Sequence, residues 1–174
     1  MTQVLQPAPE RRHPLQAATI VGSVIVLLLG TAGLLNLLIA HRPIPEALRS
    51  GVVWAHLGSV MMALPIGIAQ LLLPKGTFRH RTMGYIWVGL MLFTALVSFT
   101  IHTINPGGLS PIHIFSVLTL ITAPNIVWQA RRHNVAKHQR AVLTLMLGAL
   151  AIAGLFTFLP GRALGTLVFS IFGR

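Results

Sequence analysis

Cysteine is absent from these 174 residues, and only two side chains, Glu10 and Glu46, are acidic. The first absence excludes disulfides and thiolate metal sites, so any metal chemistry falls to His, Met or backbone groups. The second argues against a proton-coupled transporter, because neither acid lies within a long apolar run. Charge of any sign is scarce: charged residues make up 9% of the chain against 54% hydrophobic. That is too little polar surface to cover a soluble globule of this size, and it points to an integral membrane protein.

What charge there is comes from 13 Lys and Arg. They sit in short segments between apolar runs, where they set membrane orientation rather than bind nucleic acid. Residues 1–15 are polar and Pro-rich and read as a cytoplasmic tail. The run behind them is too long for a signal-peptide core and lacks a small-residue cleavage site, so it reads as a retained helix. Residues 16–174 read as one all-α transmembrane domain with five spans, about 16–40, 51–73, 79–102, 110–130 and 138–159. Each is long enough for a hydrocarbon core of ~30 Å. Asn105-Pro106-Gly107-Gly108 and Pro160-Gly161 break the pattern between and after spans. The last fourteen residues are apolar but too short to cross, and are expected along the interface. Gly22, Gly30 and Gly33 line a side of the first span where a neighbour can approach closely. That span holds no histidine and is placed at the periphery, leaving spans two to five as a four-helix bundle.

Arg11, Arg12, Lys75, Arg79, Arg81, Arg131, Arg132, Lys137 and Arg140 fall on one side of this topology. Only Arg42, Arg49, Arg162 and Arg174 fall on the other. The bias puts the amino terminus in the cytoplasm and the carboxyl terminus outside.

The eight histidines are the plentiful ligands. His56, His80, His113 and His138 each stand near the start of an apolar run, and His80 to His138 is nearly the same interval as His56 to His113. Intramembrane ionisable groups tend to face a bundle interior, a partner or a cofactor. With alternating spans, His56 and His113 lie at the outer face on diagonal helices, and His80 and His138 at the inner face on the other diagonal. Each pair is placed to supply two imidazoles to one haem iron. A separation of ~20 Å between levels takes about fourteen residues of helix, which all four spans provide. Gly67 and Gly84 leave room for a flat macrocycle, while Pro65 and Pro124 suit helices bent around a large ligand.

His80-Arg81-x-x-Gly84-Tyr85, followed by Arg131-Arg132-x(5)-His138-Gln139-Arg140, resembles a bacterial family of multi-pass membrane proteins of unknown function. That family is placed beside transmembrane two-haem b-type cytochromes and ferric reductases. The likeness runs from His56 to about Arg162. It implies a protein of the bacterial cytoplasmic membrane binding two haems b per chain, with His56 and His113 as one axial pair and His80 and His138 as the other.

The expected function is transmembrane electron transfer between a donor and an acceptor such as quinone, superoxide or a ferric species, as a possible membrane oxidoreductase. Bis-histidine ligation fills both axial positions and favours outer-sphere transfer. Arg81, Arg131 and Arg132 are expected at the inner haem propionates. His102, beyond the outer level, is assigned a catalytic place in a vestibule, accepting a proton from a quinol-type donor. His133 competes with His138, which is preferred because it directly opens the apolar run; His13 and His41 read as loop residues. The rival readings are a single-haem protein and a haem-free transporter or assembly subunit with structural, proton-relay or metal-binding histidines. Membrane lipid is the expected surrounding, and no oligomeric state follows.

Overall fold

The computed structural model describes residues 14–41, 43–102, 108 and 110–173. The expected tail, Arg11, Arg12, His13, Arg42, Arg174 and most of the Asn105-Pro106-Gly107-Gly108 break therefore lie outside the described residues. Every described element is helical: α1 Pro14–Ile39, α2 Gly51–Leu72, α3 Phe78–Ser98, α4 His113–Arg131, α5 Val135–Phe156 and α6 Ala163–Phe169. Helices α1, α2, α3 and α5 are long and apolar enough to cross a membrane. Helix α4 has 19 residues, but Asn125, Gln129 and an internal Pro124 make it less apolar. The short α6, continued by a 3-10 turn Ser170–Phe172, is the apolar terminal segment expected not to cross.

Local chemistry sets the helix ends. Pro14 opens α1, where its missing N–H costs nothing. The Thr77 hydroxyl accepts from the His80 N–H at 3.1 Å, and the Asn134 side chain accepts from the Lys137 N–H at 3.3 Å, capping α3 and α5. Helix α3 was expected to reach His102 but ends at Ser98. There Phe99, Thr100 and Ile101 each donate three residues back, tightening the turn. The hydroxyls of Ser98 and Thr100 bond to the Ala95 and Val97 carbonyls over the same stretch, competing with the helical pattern. His133 closes α4 at φ 56°, a left-handed position, with its N–H on the Ala130 carbonyl and that of Asn134 on the Gln129 carbonyl. It is exposed and serves to end a helix.

Consecutive helices α2 to α5 pack on one another in order, with α4 against both α3 and α5. The first helix is not peripheral as expected. It packs between α2 and the second half of α5, and also against α6. Its glycines explain why. A Cβ on Gly22 would stand 3.1 Å from the Cβ of Ala151, one on Gly30 3.0 Å from the Met61 sulfur, and one on Gly33 3.3 Å from Val168. Where small residues line a helix, a neighbouring backbone comes close and gains dispersion contacts on both sides. The Asn36 amide then ties α1 to α6 through the Leu167 carbonyl and the Ser170 hydroxyl, each at 2.8 Å.

Against α1 the fifth helix widens into a π segment, Met146–Ile152, with Met146 and Leu150 fully buried. The interior is filled by Leu64, Trp87, Met91, Ala123, Leu145 and Met146. The faces turned outward, including Leu28, Leu38, Phe93, Ile114 and Ile121, are apolar and exposed, as a surface in contact with lipid requires.

Candidate functional site

Two connections, Leu73–Thr77 and Arg132–Asn134, lie at one end of the bundle; they and the helix turns beside them carry Lys75, Arg79, Arg81, Arg131, Arg132, Lys137 and Arg140. Both helices that start there place a histidine in the first turn and a half. His80 stands three residues after the Thr77 cap and His138 four after the Asn134 cap. Although 58 positions apart in sequence (138 − 80), their rings meet: the centroids are 6.5 Å apart and the planes cross at 73°. Two imidazoles bound through one nitrogen each to a single metal, at ~2.0 Å per bond, have centroids ~6 Å apart. The spacing is that of an edge-to-face ring contact and lies close to that of two imidazoles on opposite sides of one metal ion.

The other ring nitrogens define what is free. His138 Nδ1 is 3.0 Å from the Ile126 carbonyl on α4. A carbonyl only accepts, so Nδ1 carries a proton; in the neutral ring Nε2 then keeps its lone pair, the arrangement that orients metal-binding histidines. His80 Nδ1 is buried and has no partner among the described residues. A lone buried nitrogen costs free energy unless something fills it. Among the described residues no three of His, Asp and Glu gather. Two imidazoles are fewer than zinc takes from a protein and are the number that would complete an iron held by four porphyrin nitrogens.

Arg81, Arg131 and Arg132 are all exposed at this end. Arg131 leans on Tyr85, its Nε and Nη2 each donating to the hydroxyl at 3.4 Å with the guanidinium 5.9 Å from the ring centre. Arg132 lies 4.4 Å over the Trp128 ring. Neither guanidinium meets a carboxylate among the described residues, where Glu46 is the single acid and sits in the loop before α2. Both are free to meet an anion.

The expected room beside Gly67 and Gly84 is taken. A Cβ on Gly67 would fall 2.8 Å from both the Trp87 indole nitrogen and the Met146 methyl, and one on Gly84 3.1 Å from the Gln70 amide. These glycines admit side chains of the protein itself. Trp87, Met91 and Thr94, the face that continues inward from His80, are core residues.

At the opposite end the structure does not set His56 and His113 against each other. Each is held by α3, at carbonyls one turn apart. His56 Nδ1 donates to the Thr94 carbonyl at 3.1 Å, and Ser59 and Thr94 join their hydroxyls at 2.6 Å beside it. His56 is thus oriented as His138 is. His113 is buried, stacked on Phe99 at 5.7 Å, and uses both nitrogens. Its Nε2 lies 3.0 Å from the Ser98 carbonyl and must donate; Nδ1 lies 3.0 Å from both the N–H and the carbonyl of Ser110, and in the neutral ring it accepts from that N–H. In this arrangement His113 has no nitrogen to offer a metal. His102 is exposed beyond the end of α3, and His41 is exposed after α1 at φ 48°.

Sequence reasoning missed the partners of the histidines: Gln70, Ile126, Ser110 and Phe99. Only Gln70 carried a signal, as the one amide in the second span.

No curated protein and no solved structure matches the chain. A family model described as "Predicted membrane protein (DUF2306)" matches residues 53–160, which take in His56, His80, His113 and His138. That match covers more than half of the sequence and coincides with α2 to α5, so the chain belongs to this family of predicted membrane proteins.

Proposed function

We propose that the protein is a membrane-embedded b-type cytochrome whose haem is held by His80 and His138, and that it carries electrons between membrane-associated partners. The carrying observation is the pairing of these two rings, from helices 58 positions apart in sequence, at 6.5 Å. Haem iron, when bound, supplies a one-electron couple. The chain supplies the rest. Nε2 of His138 is presented by the Ile126 carbonyl, His80 brings a buried nitrogen without a partner, and Arg81, Arg131 and Arg132 offer charge to the propionates. In this reading α4 crosses with the other four long helices, giving five spans, and the basic end faces the cytoplasm. Small redox carriers such as quinones are the partners of the right chemistry.

A second haem at His56 and His113 does not fit the residues as they stand, because both nitrogens of His113 are engaged. The same engagement favours a second reading, a bundle in which histidines are structural. Protein purified from haem-supplied cells separates the two. A pyridine haemochrome assay against protein mass is expected to give at least one haem b per chain, reducible by dithionite. A ratio of two would mean that His113 gives up Ser98 and Ser110, and a colourless preparation would remove the haem proposal.

A further inference from the structure

The first turn of α3 is gripped from outside its own helix. Gln70, two residues before the end of α2, reaches across the turn and donates its amide N–H to the His80 carbonyl at 2.8 Å. A helical carbonyl already accepts from four residues on, and its second lone pair is free for this bond. Four residues after His80 the chain has Gly84, and a Cβ there would stand 3.1 Å from the same Gln70 nitrogen. Gln70 is partly buried, so its amide needs a partner, and the His80 carbonyl provides it. The His80 N–H is meanwhile fixed by Thr77 at 3.1 Å. Both backbone groups of one residue are therefore held by side chains from outside the regular helix, and that residue is the histidine facing His138.

We propose that Gln70 is the positioning residue for His80, and that the bare backbone of Gly84 lets the Gln70 amide pack within 3.1 Å of where a Cβ would stand. The spacing His80-x-x-x-Gly84 thereby becomes a single device: the glycine opens the helix surface, the amide lies in the opening, and the carbonyl one turn earlier receives it. Such a clamp fixes the height and rotation of α3 against α2, and with them the direction in which the His80 ring points toward His138. The inference rests on the histidine pair being the functional site, but the clamp itself has a test that needs no haem.

Gln70→Leu keeps the bulk and removes the donor; Gln70→Glu keeps the shape and, when ionised, leaves only acceptors facing a carbonyl. Both variants are expected to retain helical circular dichroism while haem content falls about tenfold, the scale on which outer partners of metal-bound histidines act. The haem that remains should show a shifted ferric electron paramagnetic resonance signal, which a loss of general stability would not produce. Gln70→Leu with wild-type haem content and an unchanged signal would overturn the positioning role. Independently, Gly84→Ala should raise the melting temperature clearly more in a Gln70→Ala background than in the wild-type chain, where the amide crowds the added methyl and offsets the helix propensity of alanine. Equal changes in the two backgrounds would overturn the clamp. If the wild-type protein proves haem-free, the Proposed function fails while this coupling still stands or falls alone, and ¹⁵N shifts of the His80 ring in Gln70→Leu then report whether the ring has moved.

Discussion

His138→Ala is expected to lower the haem content of the purified protein to about a tenth or less of wild type, a loss of at least ~1.4 kcal/mol of binding. His80→Ala should do the same, and the double variant should be little worse than either single one. The reason lies in the ligand count. In the proposed site His80 and His138 are the two protein ligands, and loss of either imidazole would leave the iron with one. The two losses do not add because both remove the same closed coordination. His133 is the nearest histidine in sequence, but its exposed left-handed turn at the end of α4 is committed to stopping that helix. His113→Ala gives the contrast: it should weaken the packing of α4 on the end of α3 and leave the haem in place. Haem content that survives in His80→Ala and disappears in His113→Ala would invert the assignment.

Trp87→Ala is expected to destabilise the folded bundle by about 3–5 kcal/mol, the cost of emptying an aromatic site in a packed interior. Trp87 is 3% exposed and its indole N–H donates to the Ala63 carbonyl at 3.1 Å. It lies in the notch left by Gly67, where Met146 also arrives from the π segment of α5. Three helices therefore meet on one side chain. In lipid, where apolar burial alone does not draw helices together, packing of this kind supplies much of the association. Trp87→Phe keeps most of the volume and forfeits one hydrogen bond, so it should cost only ~1 kcal/mol or somewhat more. Unfolding by SDS titration in mixed micelles, followed by circular dichroism, measures both. A Trp87→Ala midpoint equal to wild type would show that the space at Gly67 is filled by something else.

Periodicity and apolar length revealed the helices because lipid demands them, and the ends of α2 and α4 fall within a few residues of their expected places. The meeting of His80 with His138 was legible too, since alternating helices with capped starts return both residues to the same end. The position of α1 was not. Judged by its lack of histidine it looked peripheral, whereas Gly22, Gly30 and Gly33 decide its place by what they let approach. The close approach of α2, α5 and α6 to these three glycines, and not the lack of a histidine, sets where α1 packs. Gly67 and Gly84 carried an opposite lesson: a missing side chain signals a close neighbour without saying whether that neighbour is a cofactor or, as here, Trp87, Met146 and Gln70. His113 was hidden by the end of α3. Its second partner is the carbonyl of the residue where that helix stops, and hydroxyls competing for backbone carbonyls set that point in a way apolar periodicity does not register. The π segment Met146–Ile152, which packs on α1, was not legible in the sequence, because apolar length does not distinguish a π turn from an α turn.

The most direct measurement is electron paramagnetic resonance of the oxidised protein, purified from haem-supplied cells, beside His138→Ala prepared identically. The predicted result is a low-spin ferric signal of iron with two axial nitrogens in the wild type, lost or converted to high spin in the variant. A wild-type protein with no ferric haem signal, or one whose low-spin signal is the same in His138→Ala, would contradict ligation by the His80–His138 pair.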